Sequence, residues 1–397
     1  MTMDLKGKKI VLGLSGGVAC YKAAELCRAL VKEGASVQVV MTEAATHFIG
    51  AVTMQALSGN AVHTDQWDPR IANNMAHIDL TRGADAILIA PCSADFMRKL
   101  AHGACDDLLS TLCVARPLAL PLLVAPAMNV EMWQNAAIQR NVAQLTQDGI
   151  AILGPDAGAQ ACGETGMGRM LEPEQLLEEV IAAFQPKLLA GKRVLITAGP
   201  TFEPIDPVRG VTNLSSGKMG YALARAAREA GASVTLVSGP TALDVPYGVQ
   251  RINVQTAQQM HDVVLSHVGG QDIFIAVAAV ADWRITNASA QKLKKSGDGM
   301  PQLQFEHNPD ILATVAALPK RPYCVGFAAE SENLLQHGAE KRKNKNIPLL
   351  VGNIGHQTFG KDDNTLVLFD DNGHVELPRA GKQALARQLI TNIAARL

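Results

Sequence analysis

The sequence has almost no charge imbalance: 36 lysines and arginines stand against 37 aspartates and glutamates, a formal net charge of -1. A general nucleic-acid binder carries a strong basic excess, so that class is excluded, while local basic clusters can still serve small phosphorylated ligands. Long apolar runs are also missing. The richest stretch, Pro117 to Met128, is short and interrupted by Pro117, Pro121 and Pro126, which excludes a membrane-spanning helix. Met1 to Lys9 contains no apolar h-region, so no secretory leader is expected. The 7 cysteines are odd in number and none are spaced as C-x-x-C. That excludes a disulfide scaffold and a zinc site and fits free thiols in a reducing cytoplasm. The expectation is a soluble cytoplasmic protein.

What is present is a globular composition, 48% apolar and 18% charged, over 397 residues. That length allows roughly two to three domains. Apolar strands alternate with helical patterns. Ile10–Leu14 ends in Ser15-Gly16-Gly17 and leads to a helix over Val18–Lys32, then a strand over Ala35–Met41. Further strands are predicted at Ala86–Ala90, Leu122–Val124 and Ile150–Leu153, the last opening into a long glycine-rich loop that reaches Met170. Strands apolar throughout and separated by helices predict a parallel sheet covered on both faces. Glu172–Phe184 reads as a closing helix and Gln185-Pro186-Lys187 as a linker.

The chain then begins again. Gly191–Ile196 matches Gly7–Leu12, Gly231-Ala232-Ser233-Val234 matches Gly34-Ala35-Ser36-Val37, and Asp272–Ala276 with Asp282 matches Asp85–Ile89 with Asp95. The fold class predicted is α/β, two Rossmann-like doubly wound domains in tandem over 1–186 and 187–397, the first flavodoxin-like. The mismatch is as informative as the match. Gly34 lies 27 residues after Gly7, but Gly231 lies 40 after Gly191, an excess of 13 that falls between Gly199 and Gly217. This is the carboxyl edge of a first strand, where open α/β sheets bind ligands. A tolerated surface insertion is the plain alternative. The polar crowd of Glu203, Asp206, Arg209, Thr212, Asn213, Ser215, Ser216 and Lys218 favours a ligand site.

In the first half, Ser15-Gly16-Gly17 outlines a phosphate cradle at a strand-to-helix turn. It is not G-x-G-x-x-G, and Met41-Thr42 puts no acid at the tip of the second strand, which tilts away from NAD. Thr42 and Ser93 could complete a mononucleotide site, with turn capping an equal alternative for each hydroxyl. His77, Asn129 and Cys162 stand out for reactivity. A lone histidine is usually structural, and most of the other cysteines sit in apolar context; Cys162 lies among glycines in what reads as a flap. In the second half, Gly217-Lys218 fails as a Walker A loop, because Thr212 replaces the first glycine and Met219 the Ser or Thr.

Ser15-Gly16-Gly17-Val18-Ala19 with Tyr21-Lys22, His77, Pro126-Ala127-Met128-Asn129 and Ala161-Cys162-Gly163 with Gly168-Arg169-Met170, in that order, resemble the FMN-dependent cysteine decarboxylases. Over essentially the whole chain the resemblance is to the bifunctional phosphopantothenoylcysteine decarboxylase/phosphopantothenate–cysteine ligases of coenzyme A synthesis. It implies FMN on Ser15, Gly16, Gly17, Thr42, Ser93 and Ala94. Flavin would oxidise the thiol-bearing carbon of the substrate so that CO2 can leave beside a thioaldehyde. His77 would be the acid/base group, Asn129 would hold the carboxylate, and Cys162 would donate the final proton. Cys105-Asp106-Asp107-Leu108 departs from the Asn-Asp-Leu usual in such proteins.

The same resemblance implies that the loop from Asp206 to Gly220 holds an acyl-nucleotide reaction centre, with Arg209 and Asn213 on the substrate and Asn213 stabilising the acyl intermediate. Gly210 and Leu214 stand where an aromatic and a histidine are common. The clusters Lys292-Leu293-Lys294-Lys295 and Lys341–Lys345 read, by composition alone, as solvated faces. The resemblance moves them to a CTP site built from Ala278, Ala279, Asp282, Lys292, Asn308, Pro309, Asp310, Ile311, Leu312, Phe327, Lys341 and Lys345. Lys292 would also be catalytic, with Mg2+ near Asp282. The expected substrates are 4'-phosphopantothenate, L-cysteine, CTP and 4'-phosphopantothenoylcysteine, and a homo-oligomer is expected. The alternative is a flavin-binding electron carrier or redox protein, or a chain with only one active half.

Overall fold

The computed structural model describes residues 3–68, 75–294, 302–330, 333–354 and 361–397. It divides into two compact units, Met1–Phe184 and Gln185–Leu397. In the first, strands β1 (Lys9–Leu14), β2 (Ser36–Met41), β3 (Ala86–Cys92), β4 (Leu122–Pro126) and β5 (Ala151–Ile152) form one parallel sheet. Their order is β2-β1-β3-β4-β5, the flavodoxin-like order, with its reversal between β1 and β3. The interior strands are apolar because helices cover both faces: Ile87, Leu88, Ile89 and Ala90 are each fully buried. The predicted loop after β5 is instead a hairpin, β6 (Asp156–Ala159) against β7 (Thr165–Arg169). Its glycines hid the strand pattern, since alternation needs side chains to show.

The second unit carries an eight-stranded sheet. Its strands are β8 (Arg193–Ala198), β11 (Ser233–Ser238), β12 (Gln250–Asn253), β13 (Ile273–Ala276), β16 (Tyr323–Glu330), β17 (Leu349–Ile354), β18 (Asp363–Asp370) and β19 (Gly373–Gly381), in the order β12-β11-β8-β13-β16-β17-β18-β19. The first six run parallel; β18 and β19 are antiparallel, so this sheet is mixed. Small hairpins β9 (Phe202–Pro204) with β10 (Gly210–Thr212), and β14 (Trp283–Ile285) with β15 (Phe305–His307), stand off it.

The internal match has a physical basis. Asp85 accepts from the Lys9 backbone amide at 2.8 Å, and Asp272 accepts from the Arg193 amide at 2.7 Å. Each aspartate therefore clamps the start of the first strand, in chain order, of its own sheet. Gly34 and Gly231 both turn the chain at φ +91°, a conformation that an L side chain resists. The later pair, Asp95 and Asp282, diverges: Asp95 lies in the helix Ala94–Ala101, whereas Asp282 precedes β14. The 13-residue excess folds as the β9–β10 hairpin and the approach to the helix Lys218–Glu229. Among the described residues no helix is long and apolar enough to cross a membrane.

Candidate active sites

At the carboxyl ends of β1, β2 and β3 the first unit gathers the residues expected to hold FMN. The buried Ser15 hydroxyl donates to the Pro91 carbonyl at 2.8 Å and accepts from the Ser93 amide at 2.8 Å. It ties the end of β1 to the end of β3, across the reversal of strand order. Ser93 caps the helix Ala94–Ala101 by accepting from the Phe96 amide, and Thr42 caps Glu43–Thr46 by accepting from Ala45, each at 3.2 Å. All three hydroxyls therefore have structural work, and any ligand contact is additional. A Cβ on Gly16 would lie 2.7 Å from Ala44, while nothing lies within 4 Å of a Cβ on Gly17. The next helix, Cys20–Lys32, has no side-chain cap. A small-residue turn before an uncapped helix fits a phosphate-bearing flavin.

Five of the cysteines are buried, and burial raises the Cys20 and Cys27 thiols to about 11; only Cys105 and Cys162 are exposed. Cys162 sits at the tip of the β6–β7 hairpin. Its Sγ donates to Glu164 Oε2 at 3.3 Å, and the same oxygen accepts from Asn129 Nδ2 at 3.1 Å. Two of the expected catalytic residues are thus joined by a carboxylate that sequence reasoning did not single out. The available signal was an acid two residues from the isolated cysteine; its partner Asn129 lies 35 residues away in sequence. Asn129 also caps Val130–Gln134, with Oδ1 accepting from Met132 at 2.9 Å, and donates to Glu131 at 2.6 Å. The Cys162 thiol, then Glu131 and Asn129, hold the Glu164 carboxyl below its ordinary range.

The hairpin is pinned independently. The Met128 amide donates to the Gly168 carbonyl at 2.9 Å, and the Val130 amide donates to Gln160 Oε1 at 3.0 Å. His77 is half-buried on the short helix Ala76–Arg82, and no hydrogen bond joins it to the Cys162 cluster among the described residues. Asp106 pairs with Lys99 at 3.0 Å, and Asp107 caps the helix Leu108–Ala115, so the departure there is a surface ion pair beside a cap.

In the second unit a cavity of about 900 Å³ opens at the carboxyl edge of β8 and β13. Asn213, Ala278, Ala279, Asp282, Phe327, Lys341, Lys345 and the run Asn308–Leu312 all line it. Asn213, an exposed residue of the lining, donates to the Ala279 and Val280 carbonyls at 3.0 and 3.2 Å. Asn308 donates to the Ala281 carbonyl at 2.9 Å, while its Oδ1 is buried without a hydrogen-bond partner among the described residues. Lys341 pairs with Glu330 at 2.6 Å, and Lys345 pairs with Asp310. Burial pushes the Asp310 carboxyl up, and Lys345 with the Ala313 and Leu312 amides more than offsets it, so it lies below the usual range.

Arg209 and Lys292 were expected in the same site, and neither lines the cavity. The Arg209 guanidinium is held by the buried Asp206 at 2.6 Å and by the Leu293 carbonyl at 2.8 Å. Asp206 also accepts from the Leu293 amide at 3.1 Å, which holds the backbone next to Lys292 and keeps its own carboxyl far below the ordinary range, Arg209 being the main cause. Lys295 lies outside the described residues. A side chain on Gly210 would strike the Phe202 ring at 2.4 Å, so an aromatic group covers this corner from the other strand of its hairpin. Among the described residues no three His, Cys, Asp or Glu side chains gather as a metal site. Asp282 and Asp310 are the carboxylates of the lining; Asp310 is paired with Lys345, which leaves Asp282 as a single ligand, suited only to a metal that arrives with phosphates.

A family model described as flavoprotein matches residues 1–185, and one described as DNA/pantothenate metabolism flavoprotein C-terminal domain matches residues 189–397. The coenzyme A biosynthesis bifunctional protein CoaBC of Vibrio parahaemolyticus is 49% identical over 391 residues, 97% of this chain and 98% of that one. The protein of that name from Escherichia coli K12 is 46% identical over 401 residues, 99% and 98% of the two chains. Among solved structures, the C-terminal domain of a CoaBC protein is 38% identical, covers 53% of this chain and 97% of its own, and aligns with a TM-score of 0.46. The FMN binding protein AtHal3 is 33% identical, with 45% and 97% covered and a TM-score of 0.41.

Proposed function

Because the chain belongs to the family of bifunctional coenzyme A biosynthesis proteins, we propose that each unit carries one of its two reactions. The chain is an enzyme with a flavoprotein decarboxylase half and a phosphopantothenate–cysteine ligase half. In our reading, residues 1–186 decarboxylate 4'-phosphopantothenoylcysteine and residues 187–397 make it from 4'-phosphopantothenate, cysteine and CTP. The free thiols fit action in a reducing cytoplasm.

The observation that carries the ligase assignment is the cavity that gathers Asn213, Asp282, Asn308–Leu312, Phe327, Lys341 and Lys345. A carboxylate is a poor electrophile. Attack by it on the α-phosphate of CTP expels pyrophosphate and gives an acyl-cytidylate. Lys341 and Lys345 now rest on Glu330 and Asp310, and a triphosphate would draw them off these partners. A Mg2+ ion bound with the nucleotide would meet Asp282. The cysteine amine then attacks the acyl carbon and CMP leaves, with the Asn213 amide turning one donor from the Ala279 or Val280 carbonyl to the developing charge.

In the decarboxylase half, Ser15–Gly17, Thr42, Ser93 and Ala94 would hold FMN, which would supply the two-electron oxidant for the thiol-bearing carbon and so let the neighbouring carboxylate depart. Asn129 holds that carboxylate, His77 moves the proton of the substrate thiol, and Cys162 returns a proton to the product carbon. The test supplies CTP, cysteine and 4'-phosphopantothenate to the flavin-loaded chain. Pyrophosphate, CO2 and 4'-phosphopantetheine are expected in equal amounts. Absence of CTP-dependent pyrophosphate overturns the ligase reading, and a chain that binds flavin yet releases no CO2 is a redox carrier instead.

A further inference from the structure

One oxygen, Glu164 Oε2, accepts both the Cys162 thiol at 3.3 Å and the Asn129 amide at 3.1 Å. The hairpin that carries it does not need these bonds for its shape. Its turn is closed by the Gln160 amide on the Glu164 carbonyl at 2.8 Å and by the Gly163 amide on the Gln160 carbonyl at 3.0 Å. Gln160 and Gly168 fasten it to Met128 and Val130. The side-chain carboxylate is therefore surplus to folding, and it is aimed at the reaction residues.

The hydrogen-bond capacity of Asn129 limits how a substrate can reach it. Its Nδ2 has two N–H donors, and both are in use, one on Glu131 at 2.6 Å and one on Glu164 at 3.1 Å. An incoming carboxylate can reach this amide only by displacing one of them. Glu131 lies two residues from Asn129 and makes the shorter bond; Glu164 lies on the separate hairpin and makes the longer one. Glu164 is the partner that leaves.

We propose that Glu164 is a positioning residue of the decarboxylase site: its carboxylate occupies the place of the substrate's carboxylate on Asn129 and carries Cys162 with it. This rests on the assignment of Asn129 to the substrate carboxylate. Binding of the acyl-cysteine moves Glu164 off Asn129 while it keeps the thiol. Loss of CO2 empties the amide again, Glu164 returns to it, and the return brings Sγ against the product carbon. The departure of one carboxylate thus times the approach of the proton donor.

The test uses the full, flavin-loaded chain and the variants E164A and E164Q with 4'-phosphopantothenoylcysteine as substrate. Removing the competing carboxylate in E164A lowers KM about three- to tenfold, the scale of one partly exposed charge-assisted hydrogen bond. In the same variant 4'-phosphopantetheine lags behind CO2 in a single turnover, because nothing returns the thiol. In E164Q the amide carbonyl can still accept from both donors, so product again keeps pace with CO2. An unchanged or raised KM in E164A, or product that keeps pace with CO2 there, overturns the proposal. A second readout needs no turnover: alkylation of Cys162 by iodoacetamide, measured against exposed Cys105 in the same sample, rises several-fold in E164A. An unchanged ratio also overturns it. If the parental chain releases no CO2 while the ratio still rises, the functional reading has failed and the Cys162–Glu164 contact has not.

Discussion

At the scale of single residues, two side chains separate the half-reactions. Asn213 faces the ligase cavity with its amide already ordered on the Ala279 and Val280 carbonyls. Asn213→Ala is expected to slow acyl transfer about 100-fold, the usual cost of one donor to a developing charge. Acyl-cytidylate then accumulates while CMP release stops, and a quench assay reads both. Cys162→Ser is expected to release CO2 normally and stall before 4'-phosphopantetheine; formation of product at the parental rate removes Cys162 from the proton-donor role. Both residues were legible in the sequence, one as a polar group in an inserted loop and one as an isolated thiol among glycines. Glu164 was not, and Asp206 was legible only as one of the polar groups of the same loop. Their roles come from Asn129, 35 residues away, and Leu293, 87 residues away, and spacing along a chain does not encode such meetings.

Among the elements, the β6–β7 hairpin was the one misread as a loop, and it is the one that sets Cys162 beside Asn129. Gly168 adopts φ +132°, and a Cβ there would lie 2.4 Å from the Met128 carbonyl oxygen. Gly168→Ala should strain this backbone by about 2 kcal/mol and lift the hairpin from Met128. Decarboxylation falls at least tenfold, while CTP-dependent pyrophosphate release is unchanged. The joint between this hairpin and the closing helix Pro173–Ala183 has its own signature. Buried Lys22 donates to the Met170 carbonyl at 3.1 Å and pairs with Glu172 at 2.9 Å. Burial raises the Glu172 carboxyl, and Lys22 with Arg169 outweighs it, so the group lies below its ordinary 4.5. A depressed carboxylate stabilises the fold fully above its unfolded value and loses that contribution as pH falls through the folded one. Glu172→Gln should therefore cost about 1 kcal/mol at pH 7, given the partial exposure of Glu172. The difference in urea midpoint between variant and parent should shrink as pH falls below 4.5 and vanish once the folded-state carboxyl is protonated.

For the whole molecule, each unit buries its own core. Ile87, Ile89 and Val124 anchor the first, and Val194, Ile196, Ile275 and Val325 the second. Lesions should accordingly stay within a unit. Gly168→Ala and Asn213→Ala chains, each slow to convert 4'-phosphopantothenate to 4'-phosphopantetheine, should do so faster when mixed than either does alone, because the acyl-cysteine is a diffusible small molecule. Failure of the mixture, with each variant keeping its other activity, would show that the intermediate does not pass through solution.

The sequence by itself determined the two α/β units, the strands at their centres and the site of the extra loop. These follow from local signals: apolar runs of strand length, glycines at turns, and a repeat whose Asp85 and Asp272 clamps recur at matching positions. Tertiary structure alone decided what the polar groups do. Ser15, Thr42 and Ser93 spend their hydroxyls on backbone, and Arg209 turns to Asp206 and Leu293 and away from the cavity. Glu164 joins two residues that no local pattern relates. A buried or half-buried polar group must find a partner, and which partner lies within 3 Å is fixed only once the strands have brought distant segments together.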